Sequence, residues 1–333
     1  MTLASAWVTL KQHRFEVAIA ALAALAFAFW AATVEVRTAM TSVPPGCFQI
    51  WSTIGPDGSG AGACLDPIRA WGQALVSDGD VIIGAMAFVP FGIGLLVGVP
   101  IVAGELEGRT AQTAWSLFGS RSRWLGFQVV PVLAVVTVAM ILLAIATGAV
   151  ENDRVVFGYS PVEELGHYGW VLVPEWLAAL GVGLLAGALF RRPLPALALG
   201  VIAVIGLVWA IGMAHQAWLD GLTPAPIASE ASGPAPDAVI TAVAWRSPAG
   251  QLVPSKDADA LAHANGAPPA GSDDPQDNLA MTWLEAHGYV EVDLGVSRST
   301  ALTWGDYEGL LFVVAGGTAG VAAFWVTKRV RPT

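Results

Sequence analysis

Apolar positions along the chain fall in long blocks, at approximately 17–34, 81–103, 125–149, 170–190, 194–213 and 309–327. A helix needs about 20 residues to cross a hydrocarbon core. Backbone groups in lipid must also be bonded within their own segment. Each block therefore predicts a membrane-spanning helix, six in all. Pro90, Pro100, Pro131 and Pro174 lie inside or at the ends of these blocks, where a bundle tolerates them as kinks. The first block is longer than the apolar core of a cleaved leader. The run Val34–Glu35–Val36–Arg37 behind it is a poor cleavage site, so it is expected to stay as a span.

The polar connections are unequal. Residues 35–80, 150–169 and 214–308 form three long ones on one side. The last is rich in Pro, Ala, Gly and Asp between 221 and 277, which predicts a loop or loosely folded cap and not a compact catalytic domain. Short strands are expected within it at Ala238–Trp245 and Gly288–Leu294, and a helix near Leu279–His287. Ahead of the first span, Leu3, Trp7, Leu10 and Phe15 interleave with Lys11, His13 and Arg14. That spacing predicts a helix over 1–16 lying in the membrane interface.

The expected architecture is an all-α membrane protein with four parts. These are the interfacial helix 1–16, spans one to five over 17–213, an extracytoplasmic cap over 214–308, and span six with a tail over 309–333. Composition agrees. The 333 residues are 55% hydrophobic and 13% charged, against about 25% charged in a soluble domain. A soluble enzyme and a disordered chain are both excluded.

The net charge of −10 hides an asymmetry. With the N-terminus inside, the short inner segments hold ten basic residues and three acidic ones, and the rest of the chain holds six and twenty-three. Basic residues mark the cytoplasmic side, so both termini are expected in the cytoplasm and the chain in the plasma membrane. A nucleic-acid partner is not expected.

Cys47 and Cys64 both fall in the first outer loop. A thiol pair in an oxidising compartment favours a disulfide over two free thiols or a metal pair, for which the nearest ligand is Asp66. Other chemistry is sparse. No G-x-x-x-x-G-K-[ST] phosphate cradle occurs, no G-x-S-x-G elbow, and no H-E-x-x-H spacing among the five histidines. No metal site or catalytic residue is expected. Glu175 is the one carboxylate inside a predicted span, and intramembrane acids are costly and often functional. It is a candidate for a pathway or gating role, against a solvated or helix-capping one. Gly94/Gly98, Gly183/Gly187 and Gly316/Gly320 each read G-x-x-x-G, which permits close helix approach.

The distinctive inner connection is 104–124, GELEGRTAQTAWSLFGSRSRW. Glu105 and Glu107 open it and Arg121 and Arg123 close it, the charge order that suits a helix dipole. Thr110, Trp115 and Phe118 would form its contact face. Topology alone accounts for the arginines, and for Trp124 as an interface anchor, but not for Glu105, Glu107 and Trp115. A bundle without an energy source and with one compact inner knob suggests a docking surface for a motor.

At these residues the sequence resembles the actinobacterial permeases of the ABC-2 type. Their pattern, close to (V/A)-R-E-L-E-x-G-T then A-W-T-Q-S-x-x-R-x-R-W, is met by Glu105, Leu106, Glu107, Ala114, Trp115, Arg121, Arg123 and Trp124. Gly104 stands where the family has arginine, Ser116 and Leu117 replace its Thr-Gln, and the glycine is displaced relative to Thr110. The opening Trp7, Gln12, His13, Arg14, the run LGVGLLAGALFRRPLPA at 180–196, and Trp304 to Glu308 are similar to further family stretches. The resemblance implies a type V exporter-like transmembrane domain in which two permease copies associate, each with a separate ATPase subunit carrying ATP and Mg. It implies that 104–124 is the coupling helix, holding Glu105, Glu107, Thr110, Trp115, Phe118, Arg121 and Arg123 against that ATPase. It also implies a pathway lined mainly by spans two and five, opening outward beneath the 214–308 cap. The second expectation is a membrane sensor or scaffold whose cap binds a ligand and signals through the same segment.

Overall fold

A computed structural model describes residues 10–41, 43–44, 47, 62–108, 120–156, 168–221, 225–226, 238–267 and 279–329. The protein is mostly helical, and among the described residues six stretches are long and apolar enough to cross a membrane. The long helices are α1 (Arg14–Met40), α2 (Leu65–Met86), α3 (Val89–Glu107), α4 (Arg121–Val156), α5 (Leu172–Phe190) and α6 (Pro193–Asp220). The insertion follows with β1 (Ala225–Pro226), β2 (Ala238–Arg246), β3 (Leu252–Pro254), α7 (Ser255–Ala264), α8 (Leu279–Ala286) and β4 (Val290–Ser297). Helix α9 (Arg298–Arg329) ends the description.

All six expected spans are present, and several helices overrun their apolar blocks. Helix α4 has 36 residues, about 54 Å at 1.5 Å per residue, against a hydrocarbon core of about 30 Å. Helix α9, with 32 residues, reaches about 48 Å. Hydropathy marks where lipid ends, and backbone hydrogen bonding carries the helix on past that point.

The largest departure from expectation is at 65–80. The sequence places these residues in a loop because Asp66, Arg69, Asp78 and Asp80 interrupt the apolar run. They form most of α2, with Ile68, Trp71, Leu75 and Ile82 buried and Asp66, Arg69, Gln73 and Asp80 outward. The chain breaks at Phe88 (φ −124°, ψ −34°), and Pro90 opens α3 where its missing N–H costs nothing. Cys47 and Cys64 are joined in a disulfide, Cα to Cα 5.3 Å, which ties the start of α2 to the segment after α1.

Polar contacts fasten the insertion end of this part of the bundle. Arg154 of α4 donates to Glu151 Oε2 at 3.1 Å and to Asp80 Oδ1 of α2 at 2.7 Å. Thr38 of α1 donates to Asp153 Oδ2 at 3.0 Å, and Arg37 pairs with Asp78.

Helix α5 is the packing centre, and small residues let its neighbours reach its backbone. A Cβ at Gly98 of α3 would sit 2.6 Å from Leu180 O, and one at Gly316 of α9 would sit 2.7 Å from Ala178 Cα. Gly94, Gly183 and Gly187 are equally crowded, whereas Gly320 has nothing within 4 Å. All four G-x-x-x-G positions on α3 and α5, and one on α9, are thus contact points by geometry and not only by spacing. Trp124 does not anchor at an interface: it is fully buried among Ile101, Val132 and Leu184 in the main core cluster.

Part of the insertion is more compact than a loose cap. Its four strands form one antiparallel sheet in the order β1-β4-β2-β3. Helices α7 and α8 bury Ala258, Ala262, Ala280 and Leu284 with Trp245. Alanines contribute little hydropathy, so a core built from them is hard to see in a sequence. The expected strands and helix coincide with β2, β4 and α8. Strand β4 runs without interruption into α9, where Ser297 Oγ accepts the Thr300 N–H at 3.2 Å as an N-cap.

Candidate functional site

Two groups of polar residues lie at opposite ends of the bundle. At the end where α3 stops, Glu105 is 9% exposed and accepts a hydrogen bond from Gln12, just before α1. Gln128 of α4 donates in turn to Gln12 Oε1 at 3.4 Å. Glu105 thus ties the end of α3 to the start of the chain's first span. Glu107, one turn-half further on, lines a groove of about 790 Å³ with Leu106, Phe190, Arg191, Arg192 and Leu194. Arg191 turns the chain between α5 and α6 in the left-handed region at φ 54°.

The connection between α3 and α4 is fixed at both rims. Gly108 N–H bonds to Gly104 O at 3.0 Å and closes α3. Ser120 Oγ accepts the Arg123 N–H at 3.2 Å and caps α4. Arg121 donates to Lys328 O at 2.8 Å, in the last turn of α9. The rims of the segment therefore grip the first and last spans directly. Thr110, Trp115 and Phe118, expected on its contact face, lie outside the described residues. Among the described expected contacts, Glu107, Arg121 and Arg123 lie near the surface and Glu105 points inward.

At the insertion end, Glu175 lies in the first turn of α5 and is 1% exposed, so it is not held by solvent. Glu308, ten residues into α9, is 7% exposed. The two flank the α5–α9 contact, where Gly309 approaches Trp170 and Gly316 approaches Ala178. One oxygen of each, Glu175 Oε2 and Glu308 Oε2, is buried without a hydrogen-bond partner among the described residues. On α9, Trp304, Glu308 and Phe312 follow one another at i, i+4 spacing and are all buried, so they stack along one face. Trp304 stacks on His215 of α6 with centroids 4.9 Å apart and meets Trp218 at 5.4 Å. Phe312 meets Phe91 of α3 at 5.7 Å. Glu308 thus lies on α9 between an upper aromatic pair and a lower one, where α3, α5, α6 and α9 converge.

Glu175 is legible in the sequence as a carboxylate inside a span. Glu308 is not, because the apolar block of the last span begins one residue later, at 309. The spacing Trp304-x-x-x-Glu308 was its only signal. Among the described residues no three of His, Cys, Asp and Glu come together as a metal set.

The profile of one protein family, described as "ABC-2 membrane transporter related", matches residues 19–215, which hold α1 to α6 up to the turn bearing His215. No curated protein and no solved structure matches the chain.

Proposed function

The chain belongs to the ABC-2 membrane transporter related family, and from that premise we propose that it is the permease subunit of an ATP-driven exporter. Two copies form the pathway, and each couples to a separate cytosolic ATPase subunit that carries ATP and Mg. The chain itself is not an enzyme; its sequence has no phosphate-binding loop. Both termini face the cytoplasm, in keeping with the ten basic residues gathered on the short inner segments.

The observation that carries this reading is the clamped segment between α3 and α4. Its rims contact the first span through Glu105 and Gln12 and the last span through Arg121 and Lys328 O. A push on residues 109–119 is thereby delivered to four helices, α3 and α4 directly and α1 and α9 through these contacts. Glu107, Thr110, Trp115, Phe118, Arg121 and Arg123 make the ATPase contact, and Glu105 transmits it from inside. ATP-driven closure of the ATPases then opens a path lined by α3 and α6. The compact sheet running into α9 gives some support to the second reading, a ligand-binding sensor, but the family match favours transport.

The test is purification of the full chain from its native membrane. The expected product is two permease chains with two ATPase chains, hydrolysing ATP. Replacing Trp115 and Phe118 together by Ala should lower the recovered ATPase at least about fivefold, the scale on which single interface anchors act. Hydrolysis by the isolated chain, or a double variant that keeps its full complement of ATPase, would reject the proposal.

A further inference from the structure

The carboxylate pair Glu175–Glu308 is not needed to couple a permease to an ATPase, and burying it is costly. A buried carboxylate persists either by taking up a proton or by pairing with a cation. Neither carboxylate has an ion-pair partner among the described residues. The cations at the far ends of the same helices are remote: Arg191 is sixteen residues beyond Glu175, about 24 Å along a helix. Lys328 is farther still from Glu308. Two carboxylates also fall well short of the six or more oxygens that a divalent ion collects.

Along α9 Glu308 is flanked by aromatic residues. Trp304 and His215 lie stacked on one side, with Trp218 against Trp304, and Phe312 with Phe91 lies on the other. Aromatic faces attract cations, most strongly where water is excluded. His215 Nε2 is likewise buried without a partner among the described residues. A small metal cation would use the oxygens and leave the rings idle. An organic ammonium would use both, with its charge held between the carboxylates and its hydrocarbon groups against the rings.

We propose that Glu175 and Glu308, walled by Trp304 and His215, form a binding site for an organic ammonium cation, and that this is the chemical class of the cargo. The cargo assignment rests on the exporter reading, whereas the binding site stands without it. The site lies at the insertion end, where the path of an exporter would discharge. Strand β4 leads straight into the helix that bears Trp304 and Glu308, so the cap is mechanically joined to the site.

The experiment is equilibrium binding to the purified full chain in lipid nanodiscs. The probes are phenyltrimethylammonium and the larger tetraphenylphosphonium, with tetraphenylborate as a control of the latter's shape and opposite charge. Quenching of tryptophan fluorescence follows occupancy. Saturable binding of at least one cation is expected, with no saturable binding of the borate. Glu175→Gln and Glu308→Gln, nearly isosteric changes, should each weaken the cation roughly tenfold or more, as expected for loss of a charged partner. Trp304→Leu should weaken it several-fold, and Trp304→Phe should restore most of the affinity. Size-exclusion profiles matched to the parent establish that each variant is folded.

No saturable cation binding, equal binding of cation and borate, or unchanged affinity in the Glu175→Gln/Glu308→Gln double variant would overturn the proposal. The two readings fail separately. A chain that recovers its ATPase but binds no cation loses the site and keeps its place in an exporter. A chain that binds the cation without an ATPase keeps the site and loses the exporter.

Discussion

Arg154 is held with its side chain 1% exposed, against Glu151 at 3%, and Asp80 of α2 completes the set from a more exposed position. Removing the cation would leave Glu151 buried without its counter-charge, which costs about 3–5 kcal/mol in comparable sites. Arg154→Met should therefore lower the stability of the folded bundle by about that amount in denaturant unfolding. Replacing Glu151 by Met as well should recover part of the loss. A loss under about 1 kcal/mol, the range of exposed pairs, would show that water already reaches the cluster. Such pairings are hard to read from sequence, since Arg154 and Asp80 come from connections that hydropathy assigns to loops. Glu175 shows the converse case: a charge inside an apolar block announces itself, and the structure then supplies its neighbour. Glu308 falls one position outside its apolar block, so only the family-like stretch Trp304 to Glu308 points to it, and the helix extending back to Arg298 brings it into the bundle.

Helices α3, α5 and α9 meet through glycine, and the sequence spacing alone ranks their G-x-x-x-G pairs equally. Structure separates them. Gly98→Leu would force a side chain into the backbone of α5 at Leu180. It should part α3 from α5 and reduce folded yield severely. Gly320→Leu, in open space, should be tolerated. Comparison of the two by folded yield in membranes checks the assignment; equal tolerance would mean that the close approach at Gly98 is not what holds these helices. Existence of the six spans was legible because twenty-residue apolar blocks have few alternatives. Helix ends were not, because charged residues such as Asp66 and Asp78 prolong a helix in water as readily as they close a span in lipid. Helix α2 shows this most clearly: its apolar side, Ile68, Trp71, Leu75 and Ile82, is spaced for a helix, yet its mean hydropathy hides it. The insertion's strands were placed by alternation, and its alanine-built core was not.

Across the whole molecule, the well-packed centre around α5 contrasts with two exposed apolar flanks. Helix α1 leaves Phe15, Leu22 and Phe29 outward, and α6 leaves Leu194, Ile202, Ile205 and Trp209 outward. In a membrane these flanks meet lipid or, in the proposed dimer, a second copy of the chain. The two polar groups lie at opposite ends, the clamped segment where α1 begins and α9 ends and the carboxylate pair beneath the insertion. Helices α5 and α9 run between them, with Lys328 O gripped by Arg121 at one end and Glu308 held at the other. Force applied to the segment would thus reach the site along α9. The decisive measurement is a cross-link from that segment. No free cysteine occurs among the described residues and Cys47 and Cys64 are bonded, so a Ser116→Cys variant carries one reactive thiol. This thiol should be labelled from the cytoplasmic side, cross-link to an ATPase subunit, and change its cross-linking yield when ADP is replaced by ATP. A thiol labelled only from the opposite side, or one that reaches no ATPase in either nucleotide state, would contradict the proposed coupling.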